Sequence, residues 1–235
     1  MNSSNRQKLR RGTDPLARLS HFTFNNSGSA QKSKRKLSYE LLTLPLPFIL
    51  WFVTFIYPPF TFWPTLALST ALLFAVSLPR VRKITFKPTL RGVLIGVATG
   101  VFLYAFFWFG AQVANSIPGF PAQVSAVYAY RGDFPISLIA VLLLFPIAPA
   151  EALYWQGLIL RHLDLRIKPP IAIVLTSVLY TLIHLPTLNP SLVFVSLVVG
   201  LTWSFLYNKF GGNLFPVMVS HIIFDEFAFV LLVIP

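Results

Sequence analysis

The chain has 235 residues, 55% of them hydrophobic and 11% charged, where ordinary soluble domains carry about 25% charged residues, and that deficit argues against a water-soluble fold. The net charge of +12 sits in Lys and Arg beside apolar blocks, without the aromatic-interleaved basic face that nucleic-acid binding needs. With no Cys, disulfides, thiol nucleophiles and thiolate metal sites are excluded, so any chemistry falls to carboxylates, histidines or hydroxyls.

Residues 1–38 are polar and rich in Ser and Asn, with Arg6, Lys8, Arg10, Arg11, Arg18, Lys32, Lys34, Arg35 and Lys36. They read as a disordered basic cytoplasmic tail. A secretory signal is not expected, because the first residues hold no apolar core, although a transit peptide fits the basic, Ser-containing composition. From there to residue 235 the chain reads as one helical membrane domain. Apolar blocks lie at 41–57, 60–79, 92–115, 136–160, 170–187, 191–208 and 215–234, each long enough to span hydrocarbon. Prolines punctuate the first two blocks, which could instead form a tight hairpin. The predicted fold class is therefore all-α, a polytopic transmembrane bundle of about seven spans.

Short loops rich in Lys and Arg stay cytoplasmic. Arg80, Arg82, Lys83, Lys87 and Arg91 fill the 80–91 loop, Arg161, Arg166 and Lys168 the 161–168 loop, and Lys209 the next turn. Together with the tail they leave only Arg131 on the other side, where 116–135 reads as a long loop containing Gly and Pro. The N-terminus is predicted to be cytoplasmic and the C-terminus to lie outside. No internal repeat is visible, which weakens an inverted-repeat transporter reading.

An ionisable group in hydrocarbon is a functional-site hypothesis by default. The fourth block carries Glu151, the fifth His184, and the seventh His221, Asp225 and Glu226. At about 1.5 Å rise per residue, Glu151, His184, His221 and Asp225 can meet near mid-membrane. His221 and Asp225, spaced i, i+4, share a helix face, from which Glu226 is turned by about 100°. One carboxylate facing two imidazoles suits activation of water and stabilisation of an oxyanion in peptide hydrolysis. The same Glu151, His184 and His221 suit a divalent metal such as zinc if one is bound. Singly, either His reads as readily as a helix-to-helix hydrogen-bonding residue. Gln156 reads as a bond to a neighbouring helix, Gly157 as a close helix approach, and His21 and His162 as solvated side chains.

The runs Glu151-Ala152-Leu-Tyr-Trp-Gln156, Tyr180-Thr-Leu-Ile-His184 and His221-Ile-Ile-Phe-Asp225 resemble the three motifs of the CPBP family of intramembrane endopeptidases, the CAAX-prenyl-protease and Abi proteins. Those motifs are EExxxR, FxxxH and HxxxN or HxxxD, on separate membrane helices. The resemblance covers about 136–230. It implies catalytic roles for Glu151 and His184 in activating water and for His221 and Asp225 at the oxyanion, without obligate zinc. Two departures stand together: Ala152 replaces the second Glu and Gln156 the Arg, so no unpaired charge is left behind. Tyr180 replaces Phe, and its hydroxyl is free to hydrogen-bond within the site.

The resemblance thus implies a multi-pass protein of the cell membrane. It would act on a membrane-embedded or lipid-modified protein or peptide, with the lipid bilayer and no nucleic acid as its surroundings. Two other classes remain open at this stage. An inactive relative that scaffolds membrane partners is motivated by Ala152 and Gln156. An ion translocator would use the same buried groups, but should show polar residues through the full membrane depth.

Overall fold

The computed structural model describes residues 39, 40 and 42–234, so the predicted tail over 1–38 lies outside the described residues. The architecture is all-α, and among the described residues the only β pairing is an isolated bridge between Thr85 and Asn213. Residues from Thr43 onward form one compact unit.

In chain order the helices are α1 (Pro45–Ile56), α2 (Phe62–Val81), α3 (Leu90–Ala114), α4 (Phe120–Ala129), α5 (Ile136–Asp164), α6 (Pro169–Leu182), α7 (Pro190–Lys209) and α8 (Phe215–Glu226). A π-helical turn, Phe227–Leu231, extends α8. Five spans, α2, α3, α5, α7 and α6 continued through the following turn to Thr187, are long and apolar enough to cross a membrane. α1 and α8 are shorter, at 12 residues each. Many starts are set by proline in the first turn, where the missing N–H costs nothing, as at Pro45, Pro169, Pro190 and Pro216. Two starts are capped by side chains: Thr89 Oγ1 accepts from the Gly92 amide at 3.0 Å, and Asn189 Oδ1 from the Leu192 amide at 3.0 Å, each satisfying an orphan donor.

Two expectations are corrected. The 116–135 segment is not simply a loop, because it carries α4. Gly119, at φ 84, turns the chain into it, and Pro121 stands in its first turn. His162 is not solvated: it is buried, on the turn Arg161–Asp164 that closes α5.

The tightest seam runs between α3 and α8. Gly92, Gly96 and Gly100 line one buried stripe of α3 at i, i+4 spacing. A Cβ at Gly96 would lie 2.6 Å from Val219 Cβ, and one at Gly100 2.7 Å from the Ser220 carbonyl oxygen. Without side chains on this stripe the two backbones approach closely, which is how membrane helices gain van der Waals packing when there is no hydrophobic drive between them. The seam fixes α8, and α8 carries His221 and Asp225.

The two ends of the bundle differ in chemistry. At one end the basic loops are tied together: Asn213 bonds the Lys87 backbone in both directions at 2.9 and 3.0 Å, the Leu214 amide donates to the Thr85 carbonyl, and Asn208 Nδ2 donates to Asp164 at 3.2 Å. At the opposite end α4 is held by neutral side chains and one arginine. Gln123 accepts from Asn189 Nδ2 through its carbonyl at 2.7 Å and from the Ser191 hydroxyl through Oε1 at 2.7 Å. Tyr128 donates to the Ala228 carbonyl at 2.9 Å. Arg131 donates to the Phe229 carbonyl.

Candidate active site

Glu151 stands where α5 is broken. Pro146 and Pro149 remove amide donors from the helix interior, and Phe145 leaves helical geometry altogether at φ −162 and ψ 108. The Phe145–Pro146 peptide is cis. The run then alternates between π-helical stretches, Leu143–Ile147 and Leu153–Leu160, and a short α segment, Ala148–Ala152, holding Glu151. Such π segments are frequent at functional sites. Glu151 is 6% exposed, and its Oε2 accepts a hydrogen bond from the Tyr180 hydroxyl at 3.0 Å.

His184 lies just past the end of α6, where Pro186 prevents the helix from continuing. Its Nδ1 is 2.9 Å from the carbonyl oxygen of Tyr180. A carbonyl only accepts, so Nδ1 carries the hydrogen and Nε2 is left as the basic nitrogen. The ring packs edge-on against Tyr180 at 5.1 Å and Trp51 at 6.3 Å.

His221 and Asp225 meet across one turn of α8, with His221 Nε2 3.3 Å from Asp225 Oδ2. The His221 ring stacks on Trp203 at 3.8 Å, and the Trp203 indole N–H donates to the neighbouring Ser220 hydroxyl at 3.2 Å. The other ring nitrogen of His221, Nδ1, is buried and has no hydrogen-bond partner.

These groups come together. Glu151, Tyr180, His184, His221 and Asp225 all line one cavity of about 110 Å³. A single water needs about 10–15 Å³ of such space, so several fit. Glu226, on the neighbouring face, is absent from the lining. Ala152 and Gln156 are 1% and 3% exposed, packed into the core where the motif would have placed a charged pair. The three-ligand metal option is a different matter: among the described residues no group of three or more His, Cys, Asp or Glu is arranged to hold a metal ion. Glu151, His184 and His221 share the cavity wall.

Sequence reasoning did not find Trp203 or Trp51 as partners of the two imidazoles. Only their aromatic character hints at it, and no spacing connects either to a histidine.

A second, larger cavity of about 530 Å³ adjoins the first through shared walls of Val127, Leu192, Val195, Phe224 and Phe229. Its lining is apolar apart from residues such as Gln123, Ser191 and Tyr128.

Residues 133–227 match the family model described as Rce1-like, type II CAAX prenyl endopeptidase. The matched stretch contains all three motif segments and covers less than half of the chain. It supports the resemblance seen in those motifs, and the apolar helices fit a membrane protein. No curated protein and no solved structure matches the chain.

Proposed function

We propose that this chain, whose residues 133–227 carry that match, hydrolyses a peptide bond in a membrane-embedded or lipid-modified protein or peptide. The observation that carries the reading is the single cavity shared by one carboxyl group and two imidazoles.

Glu151 accepts a proton from a water molecule that also hydrogen-bonds His184 Nε2. The water oxygen attacks the peptide carbonyl carbon, and a tetrahedral oxyanion forms. His221 supplies a donor for that oxyanion through the ring nitrogen left without a partner. Asp225, 3.3 Å from the other nitrogen, orients the ring and compensates its positive charge. The C–N bond then breaks, and the proton held by Glu151 passes to the leaving amine. A peptide and a water give a carboxylic acid and an amine, with no co-reactant.

The tyrosine hydroxyl on Glu151 supports this reading of a divergent motif. Where the motif's charged pair is missing, Tyr180 provides a neutral donor that fixes the carboxyl group. The apolar second cavity supports a substrate carrying a hydrophobic or lipid-modified portion beside the scissile bond.

Glu151→Ala and His184→Ala, each purified in detergent, test the assignment with an apolar or lipidated peptide. Cleavage is expected to fall by about 10²-fold or more, the usual share of a general base. Unchanged cleavage in either variant removes the mechanism. A second reading, a scaffold without activity, is motivated by Ala152 and Gln156. It gains support if the wild type and the Ala152→Glu, Gln156→Arg double variant both leave every peptide intact.

A further inference from the structure

Helix α7 carries no acid, imidazole or cation before Lys209 at its end, yet its Trp203 lines the catalytic cavity together with His221. Gly200, one turn before Trp203, lets α7 lie close to α6: an added Cβ there would stand 3.2 Å from Tyr180 Cδ1. The indole then meets both halves of the site. Tyr180, which donates to Glu151, lies edge-on to it at 6.3 Å, and the His221 ring lies against its face at 3.8 Å with 27° between the planes.

Asp225 holds His221 at one atom only, Nε2, at 3.3 Å. The ring torsion of a histidine is broad, and one contact at the ring edge does not set the plane of the imidazole. A flat partner on its face does. Trp203 can serve as that partner because it is itself fixed: it is buried, and its N–H donates to the hydroxyl of Ser220, the residue before His221, at 3.2 Å. One indole thus holds two successive residues of α8, the first by its edge and the second by its face. Charge points the same way. For Nδ1 to donate while Nε2 faces a carboxylate, both nitrogens must carry hydrogen, and the ring is then a cation. Among aromatic faces, that of Trp attracts a cation most strongly, and more so where water is excluded.

We propose that Trp203 is a positioning residue of this site: its π face fixes the plane of the His221 ring and steadies the ring's positive charge, so that Nδ1 is held ready for the oxyanion. Trp203 acts through His221 and not on the peptide itself. The oxyanion exists only after water has attacked, so loss of the indole face should weaken the transition state and leave substrate binding nearly as it was. The catalytic part of this inference rests on the proteolytic reading above; the fixing of the ring does not.

Two substitutions in the full chain, purified in detergent, separate the face of the indole from its bulk. Trp203→Phe keeps an aromatic face and loses the N–H, whereas Trp203→Leu loses both; Trp203→Met replaces the leucine variant if that does not fold. With a lipidated peptide, Trp203→Leu is expected to lower kcat about tenfold or more with KM little changed, and Trp203→Phe to recover most of that loss. No loss in Trp203→Leu, an equal loss in both variants, or a loss carried by KM overturns the proposal. The second readout is the proton NMR signal of the His221 ring, identified by its disappearance in His221→Gln. The stacked indole should shift this signal upfield in the wild type, and Trp203→Leu should abolish the shift. A signal that stays in place in Trp203→Leu overturns the positioning role even where the chain cleaves. A wild type that leaves the peptide intact sinks the proteolytic reading instead, and the ring signal alone then decides whether Trp203 fixes His221.

Discussion

Tyr180 touches both partners of the proposed water-activating pair: its hydroxyl donates to Glu151 at 3.0 Å and its carbonyl accepts from His184 Nδ1 at 2.9 Å. The two contacts separate cleanly, because Tyr180→Phe removes the first and leaves the second. A hydrogen bond to a charged group is worth about 1.5–3 kcal/mol, so kcat is expected to fall about tenfold or more with KM little changed, as steady-state cleavage kinetics would show. An unaltered kcat would mean that the hydroxyl has no part in holding the carboxyl group. At the other imidazole, Asp225 is assigned to orienting His221. Asp225→Asn keeps a polar partner one turn away and should retain more activity than Asp225→Ala; equal loss in both would contradict an orienting role and favour a need for the negative charge itself. At this scale much was legible in the sequence. Glu151, His184, His221 and Asp225 stand out because ionisable groups are scarce in apolar blocks, and all four line one cavity. The stacking of Trp203 on His221 was not legible, since it joins α7 to α8 through a tertiary contact with no local spacing to mark it. The same holds for a metal site: residue types fix which ligands are available, but only their placement decides whether three converge.

Among the elements, α8 owes its place to the glycine stripe of α3. A leucine at Gly96 would have to displace Val219, which already lies 2.6 Å from the Cβ position, and overpacking of this sort costs about 1–3 kcal/mol. Gly96→Leu is therefore expected to lower the unfolding temperature and to reduce cleavage, since it moves the helix bearing His221 and Asp225. Gly110→Leu is the control, because nothing lies within 4 Å of its Cβ position. Equal effects from the two substitutions, measured by thermal unfolding in detergent, would refute a special role for the seam. The apolar blocks and their order were readable from hydropathy, since length alone sets what can span hydrocarbon. The break in α5 was only half readable: Pro146 and Pro149 announce a disturbance, but not that the helix recovers as π turns around a five-residue α segment. α4 is hard to read in the sequence because its larger apolar residues are interrupted by Ser, Gln and Ala, and it buries no residue fully.

At the scale of the whole molecule, the described Lys and Arg gather in the 80–91 and 161–168 loops and at Lys209, apart from Arg131, while Glu151, His184, His221 and Asp225 line one cavity. The charge pattern is legible in the sequence, and the convergence on one cavity comes only from the tertiary structure. What the molecule does depends on whether the cavity hydrolyses peptides at all. The most direct measurement places the wild-type chain and Glu151→Gln in nanodiscs with a lipid-anchored peptide in heavy-oxygen water and weighs the products. The account predicts one heavy oxygen in the new carboxyl terminus formed by the wild type, with no product above background from a Glu151→Gln protein that unfolds at an unchanged temperature. Equal yields of labelled product from both proteins would contradict it.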